Sequence, residues 1–191
     1  MCARYELRIG DAALQPLLEA LARQGISWRG GEVYPSASAP VLLEAAGELV
    51  PSLKCWGYPW PGRRPVINAR AETLLERPMF RESAQHRRCA VPASAFFEWD
   101  AARQKFRFTR SDGAPLYLAG VWERRDGVDC FCIVTTEASA DVAQVHERMP
   151  RIFTEEQMAA WLRGTEPPEA LLRAPAPPLL CQRADGQLGL W

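Results

Sequence analysis

Four stretches between residues 88 and 136 narrow the architecture more than anything else in the chain. Arg88–Trp99, Lys105–Arg110, Leu116–Glu123 and Val128–Thr136 each read as a strand, the first as a buried one ending in Phe96-Phe97-Glu98-Trp99. The last two are joined through Arg125-Asp126-Gly127, and Asp-Gly is a strong hairpin signal because both central residues of the tight turn take positive φ. Around this block the helical signals are short. Leu14, Leu17, Leu18 and Leu21 follow helical spacing, with Pro16 in the first turn and Gly25 ending the run. Ala138–His146 is a short helix candidate. Thr154-Glu155-Glu156-Gln157 is a capping box that opens a helix through Leu162, closed by Gly164. Residues 3–10 and the Gly-, Pro- and aromatic-rich stretch 26–62 predict further short strands, Pro40–Leu43 and Leu53–Trp56 among them. Asn68–Glu76 starts extended and turns helical, and the tail from Pro167 is proline-rich and then briefly strand-like. Strand runs with short helices around them predict an α+β fold: an antiparallel, barrel-like sheet with several short peripheral helices. With 191 residues and no internal repeat, the chain reads as a single domain over 1–191.

Several classes of protein are disfavoured. No stretch approaches the roughly 20 apolar residues of a membrane span, and no charged start leads into an apolar run. A cytoplasmic protein with no membrane partner is therefore expected. The six cysteines (2, 55, 89, 130, 132, 181) contain no C-x-x-C pair, and in such a compartment they argue for free thiols rather than disulfides. Cys130 and Cys132 alternate along a strand and share one face. Neither of the chain's two histidines is near them, so no metal and no cofactor are expected. Net charge is zero, but the cations are unevenly chosen: Lys54 and Lys105 are the only lysines among 23 basic residues. Between 63 and 88, seven arginines (63, 64, 70, 77, 81, 87, 88) face three glutamates (72, 76, 82). That excess suits a phosphate-binding patch or simply a solvated surface, and composition does not separate the two.

The reactive candidates start at the second residue. Cys2 follows Met1, and its small side chain permits removal of that methionine. The chain would then begin with a free α-amine and a thiol on adjacent carbons. With an aldehyde, the amine forms a Schiff base and the thiol closes it into a five-membered thiazolidine. With a pKa of about 7.7–8, roughly a tenth of the amine is neutral at pH 7. A Met-Cys start also arises by chance. Glu98 lies among aromatics; if its face is buried, desolvation raises its pKa toward proton transfer, and if alternation turns it outward it is an ordinary surface carboxylate. His146, just before Arg148-Met149-Pro150, is either an acid–base group near neutral pH or a helix C-terminal histidine. Asn68 offers a donor and an acceptor to a reacting group, or caps a turn. Arg4, Arg70 and Arg148 have the planar fork that matches phosphate oxygens, and Trp56 suits either base stacking or the core.

Together these features have a precedent. Met-Cys at the start, NARAET at 68–73, RRCAVPASAFFEW at 87–99, LAGVWE at 118–123 and TTEASADVAQVHERMP at 135–150 occur in that order. The chain closely resembles the SRAP family (SOS-response-associated peptidases), whose members sense abasic sites in single-stranded DNA and crosslink themselves to them. The resemblance runs from Cys2 to about Pro150 and more weakly beyond. It implies the SRAP fold and roles by position: Cys2 as the crosslinking residue, Asn68 near the sugar, Glu98 beside the terminal amine in proton transfer, and His146 in sugar opening and Schiff-base chemistry. It also implies that Arg4, Arg70, Thr135 and Arg148 hold the DNA backbone and that Trp56 lines the DNA surface. Three positions depart from the family pattern. Ala3 and Ala95 stand where glycine is usual, and the Asn-x-x-Pro segment reads Glu32-Val33-Tyr34-Pro35.

The implied function is an abasic-site processing protein, acting as a monomer on single-stranded DNA and nucleoid-associated when bound. Two other readings stand beside it. One is a cysteine peptidase with Cys2 as nucleophile and His146 as base, its action confined to releasing Met1 or not. The other is a non-catalytic nucleic-acid-binding module that uses the same arginines.

Overall fold

The structure, a computed structural model, describes residues 2–184. Its elements in chain order are β1 (Tyr5–Leu7), α1 (Gln15–Arg23), β2 (Gly31–Val33), β3 (Ser38–Ala45), β4 (Glu48–Trp56) and β5 (Asn68–Arg70). There follow α2 (Pro78–His86), β6 (Arg88–Ala93), β7 (Ala95–Trp99), β8 (Lys105–Arg110), β9 (Leu116–Arg125) and β10 (Val128–Glu137). The last are α3 (Ala140–Ala143), β11 (Arg148–Pro150), β12 (Ile152–Phe153), α4 (Glu155–Arg163), α5 (Pro168–Arg173) and β13 (Leu179–Arg183). Short 3-10 turns precede α1 and follow β5.

Five strands close on themselves. β10 pairs with β4, β4 with β3, β3 with β6, β6 with β9, and β9 returns to β10. The expected α+β barrel is therefore present, with one change in direction: β4 and β10 run parallel, joining Cys55 to Cys130 and Trp56 to Phe131. β10 is the hub, because β5 pairs with it in parallel at 133–135 and β11 extends it in antiparallel fashion at 135–137. A second sheet, in the order β13-β8-β7-β1-β2, packs beside the ring.

The alternation of β10 explains its long apolar run. Phe131 and Ile133 face one core cluster with Trp56, Val41, Val91 and Leu118, while Cys130, Cys132 and Val134 face a second with Phe80 and Trp161 from α2 and α4. Both faces of the strand are buried, so its sequence reads as nearly continuous hydrophobicity. The two thiols share a face as expected, and all six cysteines are free. Gly120 lies where strand and helix come closest. A Cβ there would sit 2.7 Å from Cys89 Sγ, and the Trp161 indole donates to the Cys89 and Gly120 carbonyls at 3.1 and 3.3 Å.

The local signals match. Asp126 and Gly127 take φ of 50° and 81° between β9 and β10. Thr154 and Gln157 form both capping-box bonds, and Gly164 ends α4 at φ 66°. Other expectations are corrected. Arg88–Trp99 is two strands in different sheets, because the chain turns at Ser94, whose N–H donates to Glu6 O at 2.7 Å and whose hydroxyl donates to Asp11 at 3.1 Å. The helix expected over 138–146 spans Ala140–Ala143 alone, which leaves His146 on a loop. The strands expected at 40–43 and 53–56 extend into one long hairpin, turned by Ala46 and Gly47 at φ 53° and 87°. Alanine at positive φ carries no turn signal, which hid this hairpin. Helices α2 and α5 had no place in the sequence reading; both have proline in the first turn and are held by packing. The end of the tail, 185–191, lies outside the described residues.

Candidate functional site

The N-terminal segment is held where the two sheets meet. Tyr5 pairs with Phe96, and the Phe97 N–H donates to Arg4 O at 3.0 Å, so residues 2–4 run alongside 97–99. Cys2 is fully buried in the first core cluster, with its thiol 3.8 Å from Arg4 O. The Asn68 side-chain amide donates to Cys2 O at 2.8 Å. Asn68 is set in place by β5, which lies in register with Ile133 of β10, while the preceding Ile67 carbonyl accepts from the Trp56 indole at 3.0 Å. The Asn68 side-chain oxygen is buried with no hydrogen-bond partner.

Glu98 faces inward and is 2% exposed. Burial raises its carboxyl pKa to about 7. Burial also pushes the Cys2 thiol far above its ordinary value, with the Glu98 charge adding to the effect. The two groups are thus within electrostatic reach of each other. At neutral pH the thiol keeps its proton, and Glu98 is poised between its charged and neutral forms.

His146 is half-buried on the loop that leads into β11. The Arg148 N–H donates to His146 Nδ1 at 2.9 Å. The same nitrogen lies 3.1 Å from the Arg148 carbonyl, which can only accept, so Nδ1 has both a donor and an acceptor within reach and either neutral tautomer finds a partner. Burial lowers its pKa and favours the neutral imidazole. The neighbouring Val145 packs on the core cluster that holds Cys2.

The expected DNA-contact residues divide into three kinds. Arg70 is exposed and lies in register with Thr135 across β5 and β10. Arg4 and Arg148 are engaged by carboxylates. Arg4 lies 3.2 Å from Glu32 and is sandwiched between the rings of Tyr34 and Trp99 at 4.4 and 5.0 Å. Arg148 makes a two-pronged bond to Glu72 at 2.7 and 3.0 Å and donates to Thr135 O at 2.8 Å. Trp56 and Thr135 are fully buried. Trp56 lies between Tyr5 and Phe131, with ring centroids 5.2 and 6.2 Å away, so it forms a core wall near Cys2 and not an exposed face for stacking on DNA. Thr135 supplies a carbonyl to Arg148 from inside the sheet, so its side chain does not reach the surface. Among the described residues the exposed aromatics are Tyr34 and Trp60, and Arg63 lies over the Trp60 ring at 5.8 Å.

The arginine-rich stretch 63–88 is likewise not one patch. Arg87 pairs with Glu82, and Arg88 turns inward to the Ala84 and Trp161 carbonyls. Two acidic residues at the site had no role assigned in the sequence reading. Glu72 sits within the NARAET motif. Glu32 of β2 accepts a hydrogen bond at 2.9 Å from Tyr34, which lies just past the strand's end, and pairs with Lys105. Burial works against the Glu32 charge, but the hydrogen bonds from Lys105 and Tyr34 outweigh it and keep its carboxyl below the usual range. The i, i+2 spacing of Glu32 and Tyr34 was the available signal. Among the described residues no cluster of His, Cys, Asp and Glu could hold a metal ion, and no helix is long and apolar enough to cross a membrane.

Comparison with known proteins places this geometry. Residues 1–183 match the family model described as SOS response associated peptidase (SRAP). The Escherichia coli abasic site processing protein YedK is 35% identical over 140 residues, which are 69% of this chain and 63% of that protein. The Bacillus subtilis abasic site processing protein YoqW is 29% identical over 187 residues, 87% of this chain and 83% of that one. A crystal structure of a Bordetella bronchiseptica protein superposes with a TM-score of 0.74 at 26% identity, covering 95% of this chain and 99% of the other. A phage-related protein from the same organism shares the fold, with a TM-score of 0.76 at 23% identity over 97% and 95% of the two chains.

Proposed function

Because the chain belongs to the SOS response associated peptidase family, we propose that it processes abasic sites in single-stranded DNA by crosslinking itself to them through Cys2 once Met1 has been removed. The observation that carries this reading is the convergence of Asn68 and Glu98 on Cys2: a 2.8 Å hydrogen bond to its carbonyl on one side and a carboxyl with a pKa near 7 on the other.

The chemistry follows from those groups. A ring-opened abasic site presents an aldehyde. The free Cys2 amine adds to its carbonyl carbon, and loss of water leaves a C=N bond. The Cys2 sulfur then adds to that carbon. A C–S bond forms, the thiol proton leaves sulfur, and the nitrogen gains a proton as the C=N bond becomes C–N. The balance is aldehyde plus aminothiol to thiazolidine plus water. A carboxyl poised near neutral pH can take the thiol proton and return one to nitrogen. His146, an acid–base group near neutral pH, is suited to pass a proton to the sugar oxygen as the ring opens. Asn68 orients the Cys2 backbone, and its side-chain oxygen is an unused acceptor buried beside it.

Burial favours this reading over hydrolysis by a thiolate. A cysteine peptidase needs its thiol pKa lowered, and that of Cys2 is strongly raised. In the crosslink the amine attacks first and the thiol follows as a neutral group beside a base. The test is a denaturing gel after incubation with a single-stranded abasic oligonucleotide. A heat-stable shifted band on abasic DNA, and none on intact DNA, is the expected result. Binding without a band, or cleavage of peptides in its place, overturns the proposal.

A further inference from the structure

An open cavity of about 710 Å³, lined by none of Cys2, Asn68, Glu98 and His146, lies between the β10–α3 connection, β11 and α5. Its size falls within the roughly 300–1,000 Å³ of small-molecule sites. Leu75, Met149 and Leu172 give it apolar walls, and Arg151 and Ser139 also line it.

Arg151 is the unusual feature. It is 2% exposed, yet its Nε and Nη2 have no hydrogen-bond partner, and no carboxylate pairs with it among the described residues. The Phe153 ring, 5.1 Å from its guanidinium carbon, offers only a partial substitute. Burial lowers its pKa to about 10, so it stays charged at neutral pH. Buried charges are ordinarily paired, because the protein interior solvates a lone charge far less well than water does. The Ser139 hydroxyl is also buried without a partner, although its backbone N–H is satisfied by the Met149 sulfur at 3.2 Å. Two residues with idle donors therefore line one cavity, the donors themselves shielded from water.

We propose that this cavity binds a small molecule through a single oxyanion, a carboxylate or phosphate, received by Arg151 and Ser139. The rim sets the class further. Glu76, Glu137 and Glu169 are exposed there against Arg173. Glu72, paired with Arg148, lines the same cavity, and the remaining carboxylates disfavour entry of a DNA strand with a charge at every phosphate. A compact ligand with one anionic end and a cationic or hydrogen-bond-donating end matches both the floor and the mouth. The proposal does not depend on the abasic-site reading, since Arg151 and Ser139 take no part in the chemistry at Cys2.

The test is thermal melting of the full chain at matched ionic strength, with sodium chloride replaced by inorganic phosphate or by acetate. Wild type should show a saturable rise of about 2–4 °C with at least one anion, and which of the two acts tells phosphate from carboxylate recognition. Arg151→Met should abolish the rise and Ser139→Ala should weaken it. Without added anion, Arg151→Met should melt no lower than wild type, because a hydrophobe replaces an unpaired buried charge. The same titration followed by the Arg151 side-chain N–H signal in nuclear magnetic resonance covers the case of a variant that fails to fold. Equal rises in wild type and Arg151→Met, or no response of that signal to either anion, overturn the proposal. So does a loss of DNA binding in Arg151→Met without any anion response, which assigns the arginine to nucleic acid. Crosslinking by Arg151→Met at the wild-type rate is expected, and it separates this test from the fate of the Cys2 chemistry.

Discussion

Asn68 holds the Cys2 carbonyl at 2.8 Å, which ties the start of the chain to a short strand registered on β10. The bond spans 66 residues of sequence, and it places the only aminothiol that the chain can expose beside the Glu98 carboxyl.

Removing that bond should loosen the terminus more than the fold. Asn68→Ala forfeits one hydrogen bond, worth about 1 kcal/mol of stability, and leaves the Cys2 carbonyl without its donor. Crosslinking on abasic DNA should slow by at least about tenfold, since misplaced reacting groups lose orientation. Urea unfolding and gel-based crosslinking rates measure the two effects. A large stability loss with an unchanged rate per folded molecule contradicts this assignment.

Glu98 should leave its mark on both stability and rate. Its folded pKa is raised from 4.5 to about 7, so the folded chain binds this proton more tightly than the unfolded chain does. The resulting stabilisation is fully present below the unfolded value and is lost as pH rises through about 7. Glu98→Gln should therefore gain stability relative to wild type between pH 5 and pH 8. It should also crosslink about 10²–10⁴-fold more slowly, with the pH dependence near 7 flattened. Equal unfolding midpoints at the two pH values for wild type, corrected for the variant's own trend, would count against the buried carboxyl.

On the proposed function, Arg148 would have to leave Glu72 to reach DNA. The pair is two-pronged, with Arg148 largely buried and Glu72 held below the usual carboxylate range by the guanidinium's hydrogen bonds. Glu72→Gln should free the arginine and tighten binding to single-stranded DNA. Arg148→Ala should weaken binding, lower the log-log salt slope by about 0.7, and cost roughly 1–3 kcal/mol because the Thr135 carbonyl loses a charged donor. Arg70→Ala, at an exposed position, should lower the slope by the same amount with little effect on stability. Fluorescence anisotropy across a salt series reads all three.

The two nucleophiles of Cys2 should fail in different ways. Cys2→Ser, with Met1 removed, keeps the amine and should form a Schiff base that borohydride traps, but no heat-stable adduct. A form that retains Met1 keeps the thiol while its Cys2 nitrogen is an amide, whose lone pair is delocalised into the peptide bond. It should give no stable crosslink at Cys2. Intact-mass measurement confirms each terminus before the reaction. Stable crosslinking by the Met1-retaining form at the processed protein's level would falsify the aminothiol mechanism.

The amino-acid sequence determined the features that depend on a few neighbouring residues. Asp126-Gly127 specifies its hairpin because its turn needs positive φ at both positions. Thr154 and Gln157 specify a helix start because each satisfies an exposed N–H of the other's backbone. The alternation of β10 and the motif order from Cys2 to Pro150 were likewise legible, and with them the family and its α+β barrel. Tertiary structure alone decided which side chains are spoken for. Whether Arg148 is free depends on Glu72, 76 residues away, and whether Trp56 faces DNA or the core depends on the parallel seam that brings Phe131 against it. Arg151 shows the same limit most plainly: it follows a proline at the end of β11 like any surface arginine in sequence, and becomes a buried, unpartnered charge only when β9 and β10 close over its backbone. Burial and charge pairing are set by chain segments that meet in space, and no local pattern records which segments those will be.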